Sequence, residues 1–247
     1  MKKNTIIVCL LLTCIIIGYS CGKENRWDCI KRTGKPATDI RMLPPFNKIY
    51  VKDNIDLFII QGKSQEVKIE AGNNLISSIK TQVDSGVLHI NNDNRCNWAR
   101  SYKNGAVKIY ITMPSLRFLW HFGSGFVKSE ATITCDTLDI WAHQTGNVEL
   151  TLDANIIYTN MHTTADITLR GKSNILGNWH VGEGYLHCKD LQTNIVWSQS
   201  KASGDEYFSV RDNLAATINW IGNIYYSGNP PALLRKGEGK GQLIKEN

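Results

Sequence analysis

The sequence has little of what marks a protein that binds nucleic acid, nucleotides or metals. Its 28 basic and 22 acidic residues are scattered along the chain, apart from four basic residues near the end: Arg235, Lys236, Lys240 and Lys245. Nucleic-acid-binding proteins gather such residues on one strip with interleaved aromatic side chains. The sequence also has no phosphate-cradling glycine loop and no cysteine–histidine spacing typical of zinc. We therefore predict no nucleic-acid partner, no cofactor and no metal, and a solvated basic tail over residues 232–247.

The apolar run near the start of the chain is too short to span a bilayer. It extends from Ile6 to Ile17, whereas a transmembrane helix needs about 20 apolar residues. Two lysines precede the run and small or polar residues follow it, which predicts an export signal over residues 1–20. A tether of mixed composition, residues 21–45, comes next.

The segment Gly18-Tyr19-Ser20-Cys21 resembles the processing site of bacterial lipoproteins, although Tyr19 is bulkier than the usual residue there. The resemblance implies that Cys21 carries lipid and anchors the protein to a membrane. It places the chain in a bacterial cell envelope, at the outer membrane, without fixing which side it faces. The alternative is a plain secretory leader, after which Cys21 forms a disulfide.

Four cysteines remain beyond the leader and Cys21. Cys135 and Cys188 stand in strand-like apolar runs and are predicted to be buried thiols. Cys29 and Cys96 each lie in a polar segment beside a tryptophan. Because the envelope is an oxidising compartment, we predict a disulfide between these two.

A unit of about twenty residues recurs between Ser115 and Pro231. It consists of a short apolar strand, a corner made of a small residue, and a second apolar strand. The corners are Gly125, Gly146, Ala165, Gly184, Gly204 and Gly222, which gives spacings of 21, 19, 19, 20 and 18. Such a period is typical of a chain wound into stacked coils. Glycine suits these corners because it permits positive φ or a close approach of two backbones, so we assign the corners no ligand.

Apolar residues recur at fixed offsets from the corners, as stacked coils require. Eight residues before the last five corners stand Leu138, Ile157, Leu176, Val196 and Leu214. Two residues after the same corners stand Val148, Ile167, Leu186, Glu206 and Ile224. Only Glu206 interrupts the second set. Each coil is therefore predicted to carry two strands whose alternate residues point inward.

Residues 46–114 contain several short segments with apolar residues at every second position, typical of strands. We predict an all-β protein with two parts: a β-rich part over 46–114 and a solenoid of about five to six regular coils over 115–231. No linker rich in proline or glycine separates them, which favours one continuous stack.

Three stretches resemble a known bacterial family: Phe46 to Asp56, Gly123-Ser124-Gly125, and the closing segment from Gly222 to Pro230. The family is the putative auto-transporter adhesin, head GIN domain family, and the resemblance covers residues 46–231. It implies a right-handed parallel β-helix similar to the pectin-lyase fold, without the catalytic residues of those enzymes. It also implies a role in cell adhesion.

The sequence offers carboxylates but not in a catalytic arrangement. They are Asp136, Asp139, Glu149, Asp153 and Asp166. No two of them share one offset in adjacent coils, as the paired acids of a polysaccharide-cleaving enzyme would. Ser124 and Ser203 precede glycines but lack the strand-to-helix turn of a nucleophilic serine. We therefore assign no catalytic residue.

The aromatic residues form a more regular pattern than the carboxylates. Five residues before the corners stand Trp120, Trp141, Asn160, Trp179, Gln199 and Thr217. Phe118, Phe122, Tyr158 and Trp197 flank them on the same side of the strands, and His143 and His162 are predicted to stack on that side as well. Together these residues would form an outward strip suited to sugar rings or to a protein partner. There are two alternatives. The strip packs against residues 46–114, or the aromatic residues fill the interior of the coils while the aliphatic residues face outward.

The sequence thus favours a lipid-anchored, non-catalytic binding or adhesion module whose partner is a glycan or a protein surface. A polysaccharide lyase or hydrolase on a β-helix is the first alternative, and a structural envelope component without a small ligand is the second. The oligomeric state is left open.

Overall fold

The computed structural model describes residues 32–94 and 107–246. Strands make up 67% of these described residues, which contain one 3₁₀ turn at Ile76–Ser78 and no α-helix. The described part therefore contains no helix that could cross a bilayer. Cys21, Cys29 and Cys96 lie outside the described residues, so the lipid anchor and the disulfide remain predictions.

Seventeen strands, β1 to β17, form one continuous sheet that winds into coils. In chain order the strands are Pro36–Arg41, Lys48–Asp53, Ile55–Gln61, Glu66–Gly72, Ile79–Asp84, Val87–Asn92, Val107–Met113, Phe118–Gly123, Val127–Ser129, Ile133–Ala142, Val148–Thr163, Ile167–Gly182, Leu186–Ser200, Glu206–Ile218, Ile224–Ser227, Ala232–Lys236 and Leu243–Lys245.

The predicted coils superimpose in register. Neighbouring coils pair in parallel, with Leu138 beside Ile157, Ile157 beside Leu176, Leu176 beside Val196 and Val196 beside Leu214. All five side chains are buried. The predicted all-β solenoid is therefore confirmed, with about seven turns rather than five to six. Each coil has a first side before its corner and a second side after it.

The β-rich segment over residues 46–114 continues the stack of coils, but its strands do not lie side by side in the order in which they occur along the chain. On the first side, β2 lies between β6 and β8; on the second side, β3 lies between β7 and β9. The antiparallel strands β1, β4 and β5 pair beyond or beside these coils. One cluster of buried apolar side chains extends from Phe46 to Tyr226 through both segments.

The residues predicted as a solvated basic tail, 232–247, are exposed along β16, and they also pair with the solenoid. Strand β16 pairs with β14 on the first side, and β17 pairs with β15 on the second. These residues add one more coil, whose corner is Gly241. Gly241 follows Gly222 at the same spacing as the other corners and stacks on it, since a Cβ at Gly241 would stand 2.0 Å from the carbonyl oxygen of Gly222.

Close backbone approach explains the glycine corners. A Cβ at Gly146 would stand 1.8 Å from the carbonyl oxygen of Gly125, and one at Gly204 would stand 1.8 Å from that of Gly184. None of the five glycine corners has positive φ. Each glycine corner therefore lies directly on the backbone of the neighbouring coil, where even a Cβ would clash.

Candidate binding face

The tryptophans lie on the outside of the first side, in register from coil to coil. We call this row the indole column: Tyr50, Trp120, Trp141, Asn160, Trp179, Gln199, Thr217 and Lys236. Inward neighbours such as Leu119 and Ile140 are fully buried, whereas the indoles are only partly covered. The indoles therefore neither fill the interior nor exchange places with the aliphatic residues.

Two further columns flank the indole column on the same surface. The tyrosine column contains Lys48, Phe118, Asp139, Tyr158, Gly177, Trp197, Ala215 and Leu234. The histidine column lies nearest the corners and contains Lys52, Phe122, His143, His162, Val181 and Lys201. We call the three columns together the aromatic face.

In the coils nearest β8, aromatic rings of the face stack on one another. The centroids of Phe118 and Trp120 are 4.2 Å apart, and those of Phe122 and His143 are 4.6 Å apart. His143 also stacks on His162, at 5.0 Å. These contacts use up ring faces, so this half of the aromatic face presents mainly ring edges.

Further along the solenoid, towards β13, the aromatic rings of the face are exposed to solvent. Tyr158 is 41% exposed and Trp197 is 46% exposed, and neither ring stacks on another aromatic ring among the described residues. Trp179 lies beside them in the indole column, with the ammonium group of Lys201 5.5 Å from its ring centroid. This half therefore presents ring faces to solvent.

A groove borders the aromatic face at each margin. The groove beside the corners has a volume of about 460 Å³ and is lined by His143, Gln144, Thr145, His162, Thr164, Val181, Gly182 and Glu183. The groove at the other margin has a volume of about 410 Å³ and is lined by Gln192, Thr193, Asn194, Ser209, Val210, Arg211, Gly228 and Asn229. Hydroxyl and amide groups thus lie on both sides of the rings.

Burial shapes the titration of the polar groups on this face. It lowers the pKa of His143, and the neighbouring His162 lowers it further. Burial raises the pKa of Asp139, opposed by the charge of Arg117. Within residues 32–94 and 107–246, no three His, Cys, Asp or Glu side chains come together in a way that could hold a metal ion.

The other acidic residues considered from the sequence serve local contacts. Glu149 pairs with Arg170 and Asp153 with Lys172. Asp136 accepts a hydrogen bond from Asn155, and Asp166 accepts one from the backbone N–H of Tyr185. Their partners lie in neighbouring coils, so these carboxylates link successive turns of the solenoid.

The sequence did not reveal a polar cluster inside the solenoid. Glu206 points inward as its column requires, and one of its carboxylate oxygens lies 3.1 Å from Nδ1 of His180. Ser198 donates to the other oxygen and accepts from Asn178, which in turn accepts from Thr159. His180 and Glu206 have no exposed surface, so this cluster is structural and not a binding site.

The two described cysteines are free thiols. Cys188 is fully buried, as predicted, whereas Cys135 is only half-buried. Burial is the main cause that raises the pKa of Cys135 to about 11. Neither side chain lies on the aromatic face, and a thiol with so high a pKa is a poor nucleophile at neutral pH.

The fold and its face define a class of protein: a β-solenoid that presents a long, rigid, aromatic surface. The chain belongs to the putative auto-transporter adhesin, head GIN domain family, whose model matches residues 45–230. None of the curated proteins matches it in sequence.

Solved structures show the same fold. A putative adhesin from Bacteroides fragilis is 24% identical with a TM-score of 0.76, over 86% of this chain and 97% of that chain. A putative adhesin from Parabacteroides distasonis is 20% identical with a TM-score of 0.66, over 86% and 98%. A putative lipid binding protein from the same species is 18% identical with a TM-score of 0.65, over 87% and 98%.

Proposed function

We propose that the protein is a lipid-anchored, non-catalytic adhesion module of the bacterial cell envelope, and that its aromatic face binds glycans. The observation that carries this proposal is the outward register of Trp120, Trp141 and Trp179, which occupy one column in three of four successive coils. A folded protein rarely exposes so many aromatic rings on one surface unless that surface meets a partner.

The chemistry of the face favours sugars as the partner. Aromatic faces pack against the apolar C–H faces of sugar rings, while hydroxyl groups need hydrogen-bonding partners close by. Asn160 and the exposed Gln199 supply amides within the indole column. A row of rings with amides between them thus matches an oligosaccharide.

A rigid solenoid also suits display from a membrane. Lipid at Cys21 would hold the protein at the envelope; the part of the predicted tether (residues 21–45) that precedes β1 would lead to the coils, because β1, Pro36–Arg41, already pairs with β4. The adhesin family to which the chain belongs supports the adhesion role. Lipid attachment and the choice of glycans are tested separately.

The first test is a glycan and extracellular-matrix array probed with the purified full-length protein. We expect binding to a subset of glycans that the double variant Trp141→Ala, Trp179→Ala loses while it stays folded. Binding of the double variant at wild-type strength would contradict the proposal. Tyr185→Ala is a matched control, since Tyr185 is 42% exposed and lies on the second side of the coils.

The second test concerns the anchor. Cells grown with a labelled fatty acid should incorporate label into the wild-type protein and not into Cys21→Ser. Equal labelling of the two would show that Cys21 is not the lipid site and would leave the glycan proposal untouched.

A further inference from the structure

Three adjacent coils of the aromatic face differ from the rest in their shape. Along the tyrosine column they place Tyr158, Gly177 and Trp197 in succession, and along the indole column Asn160, Trp179 and Gln199. Coils stack about 4.8 Å apart, so Tyr158 and Trp197 project from strands about 10 Å apart with no side chain between them. We call this region the Gly177 platform.

The absence of a side chain at Gly177 makes room for the ring of Tyr158. A Cβ at this position would stand 2.7 Å from Cδ1 and 2.9 Å from Cε1 of the Tyr158 ring. The ring therefore rests over the backbone of the neighbouring strand, in the space that a side chain would fill. Its other face is left to solvent, beside the exposed indole of Trp197.

Charge on the aromatic face is mainly positive. Lysines stand in all three columns, at Lys48, Lys52, Lys201 and Lys236, whereas Asp139 is the single carboxylate among the residues of these columns. Lys201 is the cation nearest the platform, with Nζ over the ring of Trp179. No salt-bridge partner of Lys201 exists among the described residues, so its ammonium group is available to an anionic ligand.

We propose that the Gly177 platform binds a carboxylated glycan, with one sugar ring on Tyr158 and Trp197 and the carboxylate of the sugar paired with Lys201. The inference rests on the proposed glycan-binding function and assigns it a place and a ligand class. A charge-assisted hydrogen bond from an ammonium to a carboxylate is stronger than one between neutral groups, so Lys201 selects acidic over neutral sugars. The stacked rings around Phe118 and His143 contribute little to this site because their faces are already occupied.

The test measures binding of two acidic probes by the full-length protein, a hyaluronan hexasaccharide and 3′-sialyllactose, each beside its carboxyl-amidated form. At least one acidic probe should bind about tenfold more tightly than its amide. Lys201→Gln should remove most of that preference. Lys128→Gln, which removes the same charge on the second side, should leave it unchanged.

The rings are tested with the same probes. Trp197→Ala and Tyr158→Ala should each weaken binding about tenfold. Gly177→Ala, which forces the Tyr158 ring off the backbone, should also weaken it, while the circular dichroism spectrum keeps its β form. Tyr185→Ala should have no effect.

The outcomes separate this inference from the function on which it rests. If the amides bind as well as the acids, or if Lys201→Gln changes nothing, the ligand class is wrong while glycan binding stands. If Phe118→Ala abolishes binding and Trp197→Ala does not, the place is wrong. If a broad array gives no glycan at all, and a protein partner is found instead, both proposals fall.

Discussion

The inward-facing and the outward-facing residues of the same strands have different roles in this molecule. In β12, Leu176 points into the coil with no exposed surface, whereas the next residues outward, Gly177 and Trp179, shape the aromatic face. Because strand residues alternate between two faces, stability and surface chemistry are set by different positions of one strand. Variants of inward residues should therefore change stability, and variants of outward residues should change binding.

The largest expected effect comes from the aliphatic interior. Leu176→Ala leaves a cavity between Ile157 and Val196, its neighbours in the column, and should lower the free energy of unfolding by about 3 kcal/mol. Urea denaturation followed by circular dichroism measures this. Leu176→Met keeps the volume and should cost less than about 1.5 kcal/mol; equal losses for the two would show that the site is not tightly packed.

The polar cluster inside the coils should respond almost as strongly. Glu206→Leu leaves His180 and Ser198 without their shared partner and should destabilise the protein by about 2 to 3 kcal/mol. Adding His180→Leu removes one of the stranded groups, so the double variant should recover part of the loss. A double variant less stable than the single one would argue against a hydrogen-bonded cluster.

Acid should weaken the interior through His121. This buried histidine has its pKa lowered to about 4, chiefly by desolvation, while in the unfolded chain its pKa is about 6.5. Between these values the unfolded chain binds more protons, so stability is full above pH 6.5 and falls as the pH drops toward 4. The loss from pH 8 to pH 5 should be about 2 kcal/mol.

Thermal or urea unfolding across pH 5 to 8 checks the histidine effect. His143, whose pKa is also lowered, adds to the loss in the same direction. His121→Gln should remove most of the pH dependence that remains after His143→Gln. An unchanged pH profile in both variants would assign the effect to other groups.

The smallest change in stability is expected on the outside. Trp197→Ala removes a ring that is 46% exposed and should alter the free energy of unfolding by less than about 1 kcal/mol. The same urea experiment measures it beside Leu176→Ala. A loss as large as that of the inward leucine would place the indole in the core.

Much of the solenoid could be predicted because its interactions are periodic. Leu138, Ile157 and Leu176 stand at one offset from their corners, and so do Trp141 and Trp179, so one register assigned both faces. The last coil carries the same signal in Gly241, but the basic residues before it obscured the period.

Other features have no local signature. The insertion of β2 between β6 and β8 joins strands that are distant in sequence, and alternation within a strand does not say which strand lies beside it. The pairing of His180 with Glu206 could have been sought, since a charged residue in an inward column needs a partner in a neighbouring coil. The resting place of the Tyr158 ring on Gly177 depends on side-chain packing that the sequence pattern does not specify.

The double variant Trp141→Ala, Trp179→Ala provides the most direct test of the central claim that the indoles serve the surface and not the core. Its thermal unfolding midpoint should stay within a few degrees of the wild-type value while binding on the glycan array is lost. A protein that fails to fold once these two rings are removed, or one that unfolds far earlier on heating, would contradict the account.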